Sequence, residues 1–419
     1  MKEIIRAIAF CLIILPGFGS TLNAQRIRTG ADRMEVYLPL LSGKKVAVFA
    51  NQTSIVGNAH LVDTLLSKGV QIVKIFAPEH GFRGTADAGE HIENMKDAKT
   101  GLPVISLYGS KRKPGAEELQ DVDVLLFDIQ DVGVRFYTFI SSLQEFMEAA
   151  LENKKPLMIL DRPNPNGSYI DGPVLDRKFS SFVGMQPIPV VYGLTIGEYA
   201  MMLAGEKWLS EKANLQNSYN ISTQPTRDTP FHIQVIKCAG YKHSSEYILP
   251  VKPSPNLPNQ RSVLLYPSLC FFEGTVISLG RGTGKPFQVF GSPGLPDNLY
   301  SFTPVSVEGA KNPPLLNKEC FGYDLSGESF NARKEIDGKL QLKWLLKAYD
   351  LYLDKEKFFL KPSKENPKPE DYFFNKLAGN DVLMQQIKER KTEAEIRRSW
   401  EPALSNFKAT RSKYLLYAD

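Results

Sequence analysis

Short apolar runs alternate with segments of helical spacing between residues 44 and 163, and this alternation constrains the fold more than any other feature. Parallel strands need a crossover between them, usually a helix, so the alternation predicts a parallel β-sheet. The runs are apolar almost throughout, as in strands that helices cover on both faces. The predicted strands are residues 46–49, 72–76, 104–107, 122–127 and 157–160. We therefore expect an α/β fold.

Two helices are predicted with defined ends. Residues 138–152 repeat apolar side chains at helical spacing, and Asn153 is expected to end this helix in the left-handed conformation. A second helix is predicted from Thr195 to about residue 209. Thr195 and Glu198 form a Thr-x-x-Glu capping box at its start, which explains Glu198 without a catalytic role.

Polar segments follow four of the predicted strands. In open parallel sheets, ligands bind beyond the carboxyl ends of the strands. The segments are NQT at 51–53, PEHGFRG at 78–84, DIQD at 128–131 and DRPNP at 161–165. Together they bring carboxylates, amides, a histidine and an arginine to one edge of the sheet, so we expect a binding site there.

Glu79 and His80 are the most informative of these residues. A carboxyl group at a strand end is partly desolvated by its neighbours, which raises its pKa and suits it to general acid catalysis. Gly81 and Gly84 allow the backbone to approach a ligand closely. The structural alternative is a turn in which His80 bonds to the backbone.

Asp128 and Asp131 supply a second pair of carboxylates, and Arg135 and Tyr137 follow them. Paired carboxylates in different environments are what glycoside hydrolysis and other acid-base chemistry require. An Asp–Arg salt bridge, with Asp131 capping the next segment, explains each residue equally well. As a set, we interpret them as functional.

Prolines fix the path of the chain around Asp161 and Asn164, which makes both residues candidates for ligand binding. Asp161 would equally serve to bond loop amides. Tyr192, just before the capping box, is a further candidate.

Beyond residue 230, strand-like runs and proline-rich turns precede a helical pattern at 339–354. We place a domain boundary there, with an α/β domain at 25–230 and a mixed α+β domain at 231–419. Glu273 and Arg281 are the binding candidates of the second domain, and Arg281 suits an anionic group. The segment GRGTGK around Arg281 lacks phosphate-loop spacing, and no GxGxxG follows the first strand, so no cofactor is expected.

The first 24 residues predict a cleaved secretory signal, because Lys2 and Arg6 precede an apolar run and small residues lead to Ala24. We expect a secreted, periplasmic chain that does not bind the membrane after cleavage. Cleavage removes Cys11, and the three cysteines that remain form at most one disulfide. A net charge of +5 without a basic block argues against nucleic acid as a partner. The spacing of His80 and His91 does not favour a metal site.

The segments PEHGFRG at 78–84 and DIQDVGVRFYT at 128–138 resemble a bacterial family once known only as a domain of unknown function. Its characterised members are exo-β-N-acetylmuramidases. The resemblance continues through DRPNP at 161–165, YGLT at 192–195, PSPNLP at 253–258, EGT at 273–275 and GRGT at 280–283. It implies a Rossmann-like domain joined to a second mixed domain, with the active-site cleft between them.

The resemblance also implies that the protein removes N-acetylmuramic acid from the non-reducing end of peptidoglycan fragments such as MurNAc-GlcNAc. Glu79 matches the family's acidic residue, and we predict that it protonates the glycosidic oxygen while Asp128 or Asp131 activates water or stabilises the developing cation. Arg135 or Arg281 would bind the lactyl carboxylate. Aromatic rings would stack on the sugar, namely Phe136, Tyr137, Tyr192 and Phe272. The predicted substrate-binding residues are His80, Arg135, Tyr137, Asp161, Asn164, Tyr192, Glu273 and Arg281.

Three alternatives stay open. The substrate's own N-acetyl group would serve as nucleophile in a variant of the two-carboxylate scheme. A periplasmic sugar-binding protein without catalysis would use the same two lobes around a polar cleft. A metal-assisted hydrolase would use His80 and His91.

Overall fold

The computed structural model describes residues 26–84, 94–216, 221–223, 232–327 and 331–419. The predicted signal segment, and His91 with it, lie outside these residues. The described strands are β1 Lys45–Ala50, β2 Ile55–Val56, β3 Ala59–His60, β4 Gln71–Ala77, β5 Met95–Lys96, β6 Pro103–Ser106, β7 Val124–Asp128, β8 Leu157–Leu160, β9 Ile221–Ser222, β10 Ile233–Ile236, β11 Val289–Ser292, β12 Tyr300–Phe302 and β13 Cys320–Asp324.

The described α-helices fall in both halves of the chain. They are α1 Met34–Leu41, α2 Leu61–Ser67, α3 Ala116–Leu119, α4 Phe139–Glu152, α5 Ile196–Gly205, α6 Glu211–Leu215, α7 Gln260–Leu269, α8 Ala332–Ile336, α9 Lys343–Leu351, α10 Phe373–Ala378, α11 Val382–Lys388 and α12 Glu393–Arg411. Short 3₁₀ helices occur at Arg177–Phe179, Cys270–Gly274, Lys355–Lys357, Pro369–Asp371 and Ser412–Tyr414. Within the described ranges, no helix combines the length and apolar character needed to cross a membrane.

The first domain contains a sheet with the strand order β5-β6-β4-β1-β7-β8-β10-β9. Its strands pair in parallel, apart from the edge strand β5, which is antiparallel to β6. The α/β fold is confirmed, and all five predicted strands occur. Strand β10 pairs with β8 with Ile233 opposite Leu157. A strand that the sequence analysis assigned to the second domain therefore completes the sheet of the first.

Alternating side chains of the central strands enter two hydrophobic cores. On one face, Phe49 stacks on Phe127 with ring centroids 5.0 Å apart, and Phe146 of α4 packs against both rings. This core continues into the second domain. On the other face, Val46 and Val48 pack with residues of α1 and α2. Both faces of the sheet are therefore covered.

The second domain contains a small antiparallel sheet in the order β11-β13-β12, surrounded by helices. Helix α5, by contrast, belongs to the first domain and begins with the predicted capping box. The backbone N–H of Thr195 donates to Glu198 at 2.9 Å, and the N–H of Glu198 donates to the Thr195 hydroxyl at 3.2 Å. The helix ends at Gly205, earlier than predicted, and α4 is followed by Asn153 with φ of −104° rather than a left-handed Asn153.

Candidate active site

A cavity of about 530 Å³ lies where the carboxyl ends of β4 and β6 face the second domain. This volume is within the range of small-molecule sites in proteins. The first domain contributes the loops after β4 and β6, the start of α4 and two residues near 182. The lining side chains used below are Glu79, His80, Tyr108, Arg112, Phe136, Tyr137, Thr138 and Phe182 from the first domain, Ser254 and Asn256 from the PSPNLP segment at 253–258, and Glu273, Arg281, Phe287 and Phe373 from the second domain.

Glu79 follows β4 directly, and its half-buried carboxylate faces this cavity. The Tyr108 hydroxyl donates to Oε1 at 2.9 Å, and the Thr138 hydroxyl donates to Oε2 at 3.4 Å. Tyr108 follows β6 and Thr138 precedes α4, so rigid elements orient both oxygens of the carboxylate. Glu79 thus follows a strand directly and faces a cavity, the position predicted for it from the sequence.

His80 adopts a left-handed backbone conformation with φ of 69°, and Gly81 follows with φ of 75°. A left-handed non-glycine residue costs free energy, and such strain is concentrated at functional sites. The turn is closed by the Gly81 N–H, which donates to the Pro78 carbonyl at 3.0 Å. It directs the imidazole towards the PSPNLP segment, where Nε2 lies 3.4 Å from the Ser254 hydroxyl.

Tyr137 also lines the cavity, and its hydroxyl donates to the Pro253 carbonyl at 2.8 Å. Burial raises the pKa of Tyr137 well above its ordinary value, and nearby Asp131 and Glu79 add to the effect, so the phenol is neutral. Its edge packs against the ring of Tyr266. Tyr137 therefore attaches the PSPNLP segment to the wall of the site.

Glu273 and Arg281 reach the cavity from the second domain and form an ion pair with each other. Burial alone would lower the pKa of Arg281, but the Glu273 carboxylate outweighs burial and holds that pKa above its ordinary value. The guanidinium expected to bind an anion is thus already paired with one.

The predicted catalytic residue Asp128 lies in the interior and does not line the cavity. Its carboxylate accepts two hydrogen bonds from Arg162, at 2.6 Å from Nε and 2.8 Å from Nη2, and both side chains are almost fully buried. The structural alternative, an Asp–Arg salt bridge, therefore describes the contacts of Asp128. The partner is Arg162 and not the nearer arginine in the sequence, Arg135.

Asp131 is also buried outside the cavity. Its Oδ2 accepts from the Gly133 N–H at 2.6 Å and from the Tyr192 hydroxyl. Burial raises the pKa of Asp131 to about 6, and these hydrogen bonds only partly oppose it. Tyr192 is completely buried, so its ring is not available for a sugar.

Arg135, expected to bind the substrate, lies in the interior with no exposed surface. Its guanidinium donates to the carbonyl oxygens of Pro173 and Ile188 at 2.8 Å each and to that of Leu377 at 2.6 Å. Leu377 belongs to α10, so Arg135 connects a first-domain loop to a second-domain helix.

Asp161 and Asn164 are likewise buried and bond to protein groups. Asp161 accepts from the Gly197 N–H and the Thr195 hydroxyl at 2.8 Å each, and from the Tyr417 hydroxyl at 2.6 Å. The Asn164 amide donates to the Leu194 carbonyl at 2.8 Å. The residues directly after β7 and β8, at 128–135 and 161–164, therefore hold the fold together. The cavity is lined by the loops after β4 and β6, together with residues 136–138 and 182.

Sequence reasoning missed several lining residues, including Tyr108, Arg112 and Phe182. Tyr108 follows a predicted strand directly, so the rule that identified Glu79 would also have identified it. Ser254 and Asn256 were noted only as part of a motif. Phe182 lies in an irregular segment that carries no comparable signal. Among the described residues, no group of three or more histidine, cysteine or acidic side chains is arranged to hold a metal ion.

Replacing Asp131 with Asn should stabilise the protein at neutral pH and leave turnover unchanged. Because burial raises the pKa of Asp131 from 3.8 to about 6, the folded state binds this proton more tightly than the unfolded state. The stabilising contribution of Asp131 to the free energy of unfolding is thus greatest below about pH 4. This contribution is lost as the pH rises through 6. An Asn oxygen accepts both bonds made by Oδ2, and within the described ranges Oδ1 has no hydrogen-bond partner.

Urea denaturation from pH 4 to 8 measures this effect. In the wild type, stability should decline between pH 4 and 7, and Asp131→Asn should flatten this decline. At pH 7.5 the free energy of unfolding of the variant should be higher by on the order of 1 kcal/mol, because the cost of the buried Asp131 charge exceeds the cost of an unpaired amide group. An unchanged slope would contradict the buried-charge explanation. A folded variant without turnover would instead support the catalytic role predicted from the sequence.

Comparison with known proteins agrees with the motifs. Residues 46–261 match the N-terminal domain and residues 264–417 the C-terminal domain of a family described as exo-beta-N-acetylmuramidase NamZ. The chain belongs to this family. The resemblance to exo-β-N-acetylmuramidases seen in the sequence motifs is thereby confirmed. The protein is a member of a glycoside hydrolase family. The two matched domains meet near residue 262, after β10 rather than before it.

Individual proteins similar to this chain match nearly all of it. The peptidoglycan beta-N-acetylmuramidase NamZ of Bacillus subtilis (strain 168) is 36% identical over 418 residues, covering 95% of this chain and 93% of the relative. A crystal structure of a DUF1343 family protein from Bacteroides fragilis NCTC 9343 has a TM-score of 0.80 at 42% identity, covering 94% of this chain and 99% of that one. A second from the same strain has a TM-score of 0.74 at 29% identity, with the same coverage.

Proposed function

We propose that this protein is an exo-acting hydrolase that removes N-acetylmuramic acid from the non-reducing end of peptidoglycan fragments. The observation that carries the proposal is the oriented Glu79 carboxylate in an interdomain cavity of a NamZ family member. General acid catalysis requires such a carboxyl group within reach of the leaving oxygen. Glu79 would protonate the glycosidic oxygen, and the Tyr108 hydroxyl would hold the carboxyl group in position.

Glu273 is the second carboxylate that we assign to the reaction. Glycoside hydrolysis commonly uses two carboxyl groups around the scissile bond. Asp128 and Asp131 are buried elsewhere, whereas Glu273 lines the same cavity as Glu79. It forms an ion pair with Arg281, and a carboxylate at this position would stabilise a developing oxocarbenium ion or activate water.

Aromatic side chains of both domains would bind the sugar faces. Phe182 is half-buried and Phe373 is 38% exposed, so both rings offer surface to a ligand. Aromatic rings pack well on the apolar faces of sugars while leaving the hydroxyls to polar groups. His80 and Asn256 lie in the same wall and would serve those hydroxyls.

The cleft has room for more than one sugar. A neighbouring cavity of about 600 Å³ shares Glu273, Arg281 and Phe373 with the first. We assign the first cavity to the muramic acid residue and the second to the sugar that follows it.

We also propose that the protein is exported to the periplasm, on the strength of the basic, apolar and small-residue pattern at 1–24. Peptidoglycan fragments arise outside the cytoplasm, which fits that location. N-terminal sequencing of protein from the periplasmic fraction should begin at Gln25, and an intact Met1 would contradict export.

Incubation of residues 25–419 with the disaccharide MurNAc-GlcNAc, and separately with the sugar-reversed GlcNAc-MurNAc, tests the proposed reaction. Mass spectrometry should detect free N-acetylmuramic acid from the first disaccharide alone. Release from the reversed isomer would contradict the exo polarity. Binding of both without any release would support the sugar-binding alternative.

A further inference from the structure

Besides Arg281, a second arginine, Arg112, reaches the cavity that holds Glu79. It belongs to the segment GSKRK at 109–113, which follows β6. Its guanidinium lies over the ring of Phe182, with Cζ 4.0 Å from the ring centroid. Stacking on an aromatic ring fixes the plane of a guanidinium and leaves its N–H groups at the edge free to donate.

Neighbouring cations are paired with carboxylates, and Arg112 is not. Lys111 pairs with Glu118, and Lys113 pairs with Glu152 at 2.7 Å. In the part of the chain that the structure describes, no ion pair joins Arg112 to an acidic residue. Glu145 is half-buried and lies beside Arg112, and within the described ranges no salt bridge joins it to a cation.

Glu145 is influenced mainly by groups other than Arg112. Burial raises the pKa of Glu145, and the charge of Glu148 adds to this. Lys113 opposes the rise more strongly than Arg112 does. Of the two arginines that line this cavity, Arg281 is paired with the Glu273 carboxylate, so the charge of Arg112 is the less neutralised by acidic neighbours. Arg135 lies in the interior and does not reach the cavity.

We propose that Arg112 binds the lactyl carboxylate of the substrate and thereby selects muramic acid over N-acetylglucosamine. This inference rests on the proposed function. The two sugars differ only in the lactyl ether, whose carboxylate is the one charged group of N-acetylmuramic acid. A planar guanidinium binds a carboxylate through two parallel hydrogen bonds, so Arg112 recognises the feature that distinguishes them.

The test compares Arg112→Gln and Arg112→Lys with the wild type, and Lys111→Gln serves as a matched control. Lys111 is an exposed cation of the same segment that does not line this cavity. Calorimetry measures the binding of N-acetylmuramic acid, its lactyl amide and N-acetylglucosamine. Hydrolysis of the 4-nitrophenyl β-glycosides of the first and third sugars gives kcat/KM.

We expect Arg112→Gln to weaken N-acetylmuramic acid binding by roughly 10- to 100-fold, in line with a hydrogen bond to a charged group. Binding of the lactyl amide and of N-acetylglucosamine should change little. Arg112→Lys should lose less, because a point charge replaces the paired donors. Lys111→Gln should behave as the wild type.

Equal losses for all three sugars, or no loss for N-acetylmuramic acid, would overturn the assignment of Arg112. A different result would contradict the proposed function, namely a wild type that releases no N-acetylmuramic acid from MurNAc-GlcNAc. A wild type that hydrolyses the disaccharide, together with an Arg112→Gln variant of unchanged selectivity, would refute this inference alone.

Discussion

Replacing Glu79 with Gln should lower kcat for MurNAc-GlcNAc by about 10²- to 10⁴-fold, the contribution typical of a general acid. Gln has nearly the same shape, and its amide oxygen accepts the hydrogen bond from Tyr108. It carries no acidic proton for the leaving oxygen. The fold and the affinity for released N-acetylmuramic acid should therefore be retained.

The leaving group provides a sharper test of this role. 4-Nitrophenolate departs without protonation, so Glu79→Gln should slow hydrolysis of the 4-nitrophenyl glycoside far less than that of the disaccharide. Tyr108→Phe is a matched control, because it removes the hydrogen bond that orients Glu79 but retains the acid. Its loss should be smaller on both substrates. Near-normal turnover of the disaccharide by folded Glu79→Gln protein would refute the assignment.

Replacing Asp128 with Asn should cost about 3–5 kcal/mol of unfolding free energy and leave kcat per folded molecule within a few-fold of wild type. The reason is the burial of its partner, since Arg162 is 2% exposed and both of its bonds to Asp128 would be weakened or lost. Removing one member of such a pair leaves a charge without compensation in a low-dielectric interior. Urea denaturation and active-site-corrected turnover measure the two quantities.

The double variant Asp128→Leu/Arg162→Met is the control for this explanation. It removes both charges together, so it should recover much of the stability that Asp128→Asn loses. A double variant as unstable as the single one would contradict the ion-pair account. If Asp128→Asn instead remained stable and lost turnover, the catalytic role predicted from the sequence would be supported.

The sequence predicted the sheet well because strand patterns are local. The five predicted runs differ from β1, β4, β6, β7 and β8 by at most two residues at either end. The rule that ligands bind at carboxyl strand ends led directly to Glu79. The same rule could not distinguish the strand ends that line the cavity from those whose polar residues bond within the protein interior.

That separation depends on strand order and on distant partners. β7 and β8 are central in the sheet, and their polar ends bond to the chain that follows them. β4 and β6 lie nearer one edge, where the cleft is open. Arg135 shows the difficulty most clearly. Its carbonyl partner at Leu377 is 242 residues away, and no local pattern predicts it.

The contacts of Tyr417 with the first domain also determine how the molecule must form. The Tyr417 hydroxyl donates to Asp161 at 2.6 Å and accepts from the Cys238 N–H at 2.8 Å, and Tyr417 lies at the very end of the second domain. Arg411 likewise donates to the Gly193 carbonyl at 2.8 Å. The first domain therefore acquires its last buried contacts only after the second has been synthesised. The two domains follow one another in the chain but share buried hydrogen bonds and one hydrophobic core, so we expect neither to fold without the other.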